Sequence, residues 1–211
     1  MDRPIIRLVH YRRTVFCFSV PDVCPCCGEA LKGARLTDAP VSLPRPLSHA
    51  HKTSCSLVIA PAESNPEREF DGTADLHTGI SNTRGVVYNY TEGGVVRDAA
   101  GWEESVVVPL VRPDMFHLIH RWDEYLERFS HGAQWDPLWT RFDPDDHNCF
   151  SFCLDFINVV LDVLGQTPQN RESFTQNYIL PRMKRLWKYS AIYRRVEREG
   201  CYAVDPDLDQ D

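Results

Sequence analysis

Residues 143–165 read DPDDHNCFSFCLDFINVVLDVLG, and their pattern decides the fold. From Cys149 onward the polar residues are Ser151, Asp155, Asn158 and Asp162, spaced four, three and four. That spacing draws one narrow polar stripe along a helix. The remainder, including Phe152, Phe156, Ile157, Val160 and Leu164, is apolar. A helix apolar around most of its circumference is a central, buried one. Asn148 is a favourable N-cap, and Gly165, with Pro168 beyond it, is a stop. Cys149 therefore falls in the first turn.

That position has chemical consequences. The free N–H groups at a helix N-terminus favour a thiolate, the nucleophilic form of cysteine, and can donate to a developing oxyanion. Asp143, Asp145 and Asp146 act the other way, because nearby negative charge disfavours an anion. The plainer reading of Cys149 is a small buried hydrophobe.

Upstream, residues 75–111 read as an antiparallel meander of three or four strands. Residues 75–81, DLHTGIS, come first, then a turn at 82–85 and a strand at 86–90, VVYNY. A second turn at 92–94 follows, and residues 103–111 hold a further strand with Pro109 near its end or at a sheet edge. Alternation places His77 and Gly79 on one face and Leu76, Thr78 and Ile80 on the other. A glycine beside the histidine leaves room for another group to approach closely. A half-buried histidine bonded to backbone is the simpler role for His77.

The N-terminal residues 5–10 and 14–20 form a hairpin that leads into Cys24-Pro25-Cys26-Cys27-Gly28. Cys24, Cys27, His51 and Cys55 give C-x2-C, a spacer of 23 residues, then H-x3-C. Such a Cys3His set completes a closed, structural zinc site. Cys26 and His49 are spare candidates, and the alternative is a set of reduced thiols in a proline-rich loop. Residues 60–69, APAESNPERE, read as a linker.

Three further helices are expected. Residues 113–130 carry the core stripe Met115, Leu118, Ile119, Trp122, Leu126 and Phe129, with His117 and His120 solvated. Trp135 and Trp139 act as packing anchors in the loop 134–142. A short helix at 172–178 is closed by Pro181. The last helix, 183–199, has a solvated basic face and stops at Gly200, before a frayed acidic tail.

The bounds agree with an ordinary globule. The chain has 211 residues, 43% apolar and 25% charged, enough for one domain plus a small module. A net charge of −7 argues against nucleic acid as a partner. No signal peptide and no apolar run long enough for stable membrane insertion stand out. Eight cysteines without a secretory signal point to metal or reactive thiols in a cytoplasmic or nuclear protein.

Two stretches together, DLHTGI and HNCFSF, resemble the circularly permuted papain-like proteins, which include the lecithin retinol acyltransferase-like, NlpC-type and PPPDE groups. In these the histidine strand precedes the cysteine helix, as it does here. The resemblance implies Cys149 as nucleophile and His77 as general base, with Asn89 or Tyr88 in the region of a third polar group. Asn89 would orient His77. The chemistry stands on its own terms too, since a cysteine at a helix N-terminus and a histidine reaching it from a sheet form an activated nucleophile. The segments DAPVS, GWEES and DLHTGISNT followed by GVVYNY also resemble the makorin opposite-strand protein family over nearly the whole chain, which implies no particular activity.

The expected architecture is α+β, an antiparallel sheet packed on a central cysteine-bearing helix. Residues 1–62 would form the hairpin and zinc-knuckle module, 63–204 the permuted papain-like domain and 205–211 the acidic tail. The expected function is a cysteine hydrolase or acyl-transfer enzyme using Cys149 and His77 on an amide, isopeptide or thioester bond of a protein or peptide. The competing function is a non-catalytic zinc-containing interaction module on the same fold.

Overall fold

A computed structural model describes residues 3–31, 33, 36, 38–62, 70 and 75–205. The tail from 206 onward and most of the expected linker, 63–69, lie outside the described residues. In chain order the strands are β1 (Ile6–His10), β2 (Arg13–Cys17), β3 (Val41–Ser42), β4 (Ser56–Pro61), β5 (Leu76–Ser81), β6 (Val87–Thr91), β7 (Gly94–Asp98), β8 (Val106–Pro109) and β9 (Cys201–Val204). The helices are α1 (Phe116–Ser130), α2 (Cys149–Val163), α3 (Arg171–Phe174) and α4 (Leu180–Glu199). The protein is thus mixed α+β with two antiparallel sheets. Among the described residues, no helix is long and apolar enough to cross a membrane.

The chain divides into two compact units, Leu47–Leu186 and the two ends, Met1–Pro46 with Trp187–Asp211. This differs from a boundary at residue 62, and β4 is the reason. Its run Leu57-Val58-Ile59 is fully buried, which marks a strand covered on both faces. β4 accordingly sits inside the five-stranded sheet of the larger unit, order β7-β6-β5-β4-β8. β8 lies at the edge of that sheet and ends at Pro109, which a central strand could not accommodate.

In the unit of the two ends, β1 and β2 form the expected hairpin. Tyr11 and Arg12 join them with φ of 45° and 64°, the left-handed pair that a two-residue turn requires. The sheet order is β3-β1-β2-β9, so the last strand pairs with β2. Ile5 and Phe16 pack there with Tyr189, Ile192, Tyr193 and Val196 of α4.

The central helix of the larger unit starts as its sequence dictates. The Asn148 side chain accepts from Phe150 N (2.9 Å) and Ser151 N (3.1 Å), and Ser151 Oγ accepts from Asn148 N at 2.7 Å. This reciprocal cap contributes about 1 kcal/mol. At the far end Gly165 takes φ +65° and Gln166 N reaches back to Leu161 O. The polar stripe faces away from the core, with Asp155 and Asp162 exposed, and Asn158 bonds both backbone groups of Gln169. The apolar side of α2 packs on β5 and β6. Phe152 and Phe156 meet Phe129 of α1, and Trp122 lies edge-on to Phe156 while donating to Ser81 O at 2.9 Å.

Two local expectations are corrected. Pro181 does not close a helix. A π-helical stretch, Thr175–Ile179, connects α3 to α4, and its wider turn absorbs the donor that proline lacks. Trp135 is a packing anchor at 2% exposure, stacked on His147, but Trp139 is 79% exposed.

Candidate active site

The capped end of α2 presents Cys149 beside β5. The Asn148 cap takes the amides of Phe150 and Ser151, and leaves that of Cys149 out of its hydrogen bonds. The Cys149 side chain is half-buried and stands beside the imidazole of His77, close enough for each to shift the titration of the other. His77 Nε2 meets Asn89 Oδ1 at 2.8 Å. Asn89 Nδ2 in turn donates to Asp98 Oδ2 at 2.8 Å, which fixes the amide so that its oxygen faces the histidine. His77 Nε2 therefore carries a hydrogen, and Nδ1 is left for the sulfur. Trp102 stacks on the His77 ring with centroids 5.5 Å apart, and its Nε1 donates to the same Asp98 oxygen at 3.1 Å.

Electrostatics follow from this geometry. Burial pushes the Cys149 thiol up, but the adjacent His77 imidazole and the neighbouring Thr78 outweigh it, so the net shift is downward from the ordinary thiol value. Burial pushes His77 down, and Cys149, Asn89 and the charge of Asp98 more than reverse it. Each group thus favours the charged form of the other. Cys153, one turn deeper, is raised by burial. Two of the aspartates expected to oppose the thiolate are engaged elsewhere. Asp143 Oδ1 accepts from the amides of Asp145 and Asp146, and Asp146 is exposed beside Arg171.

Simple strand alternation fails at His77, because both His77 and Thr78 reach Cys149. The β5–β6 ladder pairs Ile80 with Tyr88 and Ser81 with Val87, and β5 departs from it above Ile80. The Thr78 hydroxyl is buried near the sulfurs of Cys149 and Cys153 and makes no hydrogen bond among the described residues. Gly79 permits the departure. A Cβ there would stand 2.6 Å from Val87 Cγ1, 2.9 Å from Tyr88 O and 3.3 Å from Asn89 Cβ. Gly79→Ala is expected to cost about 1–3 kcal/mol through overpacking and to push Asn89 off His77. Denaturant melts and the alkylation rate of Cys149 measure the two effects. Unchanged values in both would show that the close approach is immaterial.

The structure brings Cys149, His77 and Asn89 together, and adds Asp98, Trp102 and Thr78. Tyr88 is turned instead to Glu127, at 2.6 Å. Asp98 had a signal in sequence, since Glu92-Gly93 closes a tight hairpin that returns β7 along β6.

The expected zinc ligands behave differently. Cys24 and Cys27 belong to the unit of the two ends, and His10 Nδ1 lies 3.5 Å from Cys27 Sγ. The Cys24 thiol is raised by burial, but amide hydrogen bonds and its side-chain neighbours Cys27 and His10 bring it to about 7. His51 and Cys55 belong to the larger unit, and both ring nitrogens of His51 are taken there. Nδ1 donates to Gly85 O at 2.7 Å and Nε2 accepts from Trp102 N at 3.3 Å. His51 thus secures the tryptophan that covers His77. Cys55 is buried with φ 50°, its thiol pushed up to about 11 by burial and the charge of Asp123.

Residues 40–196 match the family described as DUF4796 C-terminal. The chain belongs to that family. The match includes His77, Asn89, Asp98, Trp102 and Cys149, and excludes His10, Cys24 and Cys27. The chain is also 41% identical over 203 residues to the human MKRN2 opposite strand protein, covering 96% of this chain and 90% of that one. This agrees with the makorin opposite-strand resemblance. No solved structure matches the chain.

Proposed function

We propose that the chain is a cysteine hydrolase or acyl-transfer enzyme of the circularly permuted papain-like kind, acting on an amide, isopeptide or thioester carbonyl of a protein or peptide. One observation carries the reading: an imidazole beside a thiol at a helix N-terminus is bonded to a side-chain amide that is itself held by a carboxylate. A merely structural histidine needs neither the sulfur nor the second anchor.

In this reading His77 takes the Cys149 proton, and the thiolate attacks the carbonyl carbon to form a C–S bond. The carbonyl oxygen gains negative charge and is met by the Cys149 amide. The imidazolium returns its proton to the departing amine or thiolate as the bond to it breaks. Water, deprotonated by His77, then cleaves the thioester and restores the thiol, or an incoming amine takes the acyl group. Asn89 and Asp98 keep the ring in the right tautomer, and Trp102 shields their hydrogen bonds from water.

Peptidyl and acyl-thioester probes test it. Wild-type protein should be labelled at Cys149 and the Cys149→Ala variant should not. His77→Ala should label about 10²- to 10⁴-fold more slowly. Folded wild-type protein that reacts with none of the panel would sink the enzyme and leave a non-catalytic interaction module.

A further inference from the structure

The hairpin turn at Tyr11 and Arg12 leaves His10 at the end of β1, next to the loop that holds the cysteine pair. That loop is a tight knuckle. Val23 bridges Ala30, Cys24 N donates to Glu29 O at 2.7 Å, and Gly28 N returns to Cys24 O at 2.8 Å. Gly28 takes φ +76°, a left-handed position that closes the turn. Inside it the Cys26 amide donates to Cys24 Sγ at 3.4 Å, so the sulfur is held as an acceptor.

The ligand atoms of His10, Cys24 and Cys27 all lie within 4.8 Å of one another. Tetrahedral zinc, with Zn–S near 2.3 Å and Zn–N near 2.0 Å, sets its ligand atoms about 3.5–3.8 Å apart. The 3.5 Å between Cys27 Sγ and His10 Nδ1 fits that edge. Two thiolates and an imidazole are a soft-to-borderline donor set, which suits zinc over magnesium or calcium. Of the neighbouring thiols, Cys26 and Cys201 both pack against the core of Leu8, Val15 and Cys17.

We infer that His10, Cys24 and Cys27 together form a zinc site, with the fourth coordination position on the solvent side, where Cys27 is exposed. The metal fastens the C-x2-C loop, which has few large apolar side chains of its own, to the β1–β2 hairpin. The site is independent of Cys149 and lies outside the family match.

Metal analysis of the full-length chain, with zinc affinity measured against a chromophoric chelator, tests the assignment. About one zinc per chain is expected. Loss of a mere outer partner of a metal ligand weakens affinity 10- to 100-fold, so His10→Ala and Cys27→Ser should each lose about 100-fold or more. His10→Cys, which supplies a new thiolate, should recover most of it, and His51→Ala should bind as wild type. Circular dichroism establishes that each variant is folded. Wild-type affinity in folded His10→Ala, metal loss in folded His51→Ala, or a folded wild-type chain that takes up no zinc would each overturn the site.

Discussion

Replacing His77 with alanine should move the alkylation midpoint of Cys149 upward. In the intact protein the thiol is lowered from its ordinary value, because the adjacent His77 outweighs burial. Removing the imidazole deletes the largest lowering contribution and leaves the desolvation of a half-buried sulfur in place. Reaction at neutral pH should fall with it, by about tenfold for each pKa unit gained. The reciprocal change reads the same coupling from the other partner. His77 is raised above 6.5 by Cys149, Asn89 and Asp98 against the pull of burial. Cys149→Ser removes the foremost raising cause, so the histidine should titrate lower. Cys153 is the internal control, fully buried and raised by desolvation, and it should react far more slowly than Cys149. Alkylation rate against pH, with mass-spectrometric assignment of the modified cysteine, gives the Cys149 and Cys153 profiles, and NMR titration of the His77 ring gives the reciprocal shift in Cys149→Ser. A Cys149 profile indifferent to His77→Ala would mean the pair is only packed together.

The helix carrying this thiol was legible because every level of its sequence agrees. The 3.6-residue stripe, the Asn148 cap with Ser151 as its reciprocal partner, and the Gly165 stop all specify the same fifteen residues. His77 and Asn89 were legible through motif and strand order. What escaped was set by pairing across distance. β4 does not announce itself as a strand because its apolar run is short, and only β5 and β8 on either side turn it into a core strand. β9 is four residues long and has no register until β2 supplies one. Asp98 and Trp102 act on His77 through a carboxylate shared with Asn89, a relation with no fixed spacing. The cysteine knuckle announced itself by C-x2-C, but spacing favoured His51 as its partner. His10 precedes the pair by 14 residues, and only the left-handed turn after it brings its ring to Cys27.

The part His51 does play leads to the largest expected loss of stability, at Gly85. This glycine has φ +78°, and a Cβ built on it would stand 2.1 Å from the His51 carbonyl oxygen and 2.7 Å from its carbon. Both are backbone atoms, so no rotamer change can relieve the clash. The left-handed conformation costs a non-glycine residue about 1–2 kcal/mol, and forcing apart packed backbone adds about 1–3 kcal/mol. Gly85→Ala should therefore destabilise the larger unit by about 2–5 kcal/mol. The Asn82–Gly85 turn is also braced by Asn82 Oδ1, which accepts from the amides of Arg84 and Val86, both at 2.9 Å. The turn resists moving, so the His51 segment must give way. His51 then loses its bond to Gly85 O, and with it the fixed tautomer whose Nε2 accepts from Trp102 N. Trp102 covers His77 and shares Asp98 with Asn89, so the disturbance travels on to the thiol. Two readouts separate these links. Chemical denaturation reports the clash, and the Cys149 alkylation profile, taken well below the melting transition, reports the coupling. His51→Ala removes the coupling while leaving Gly85 unclashed, so it should alter the profile with a smaller loss of stability. Full stability in Gly85→Ala would show that the close approach is not real. A normal Cys149 profile in both variants would show that the tryptophan holds its place over His77 without help from His51.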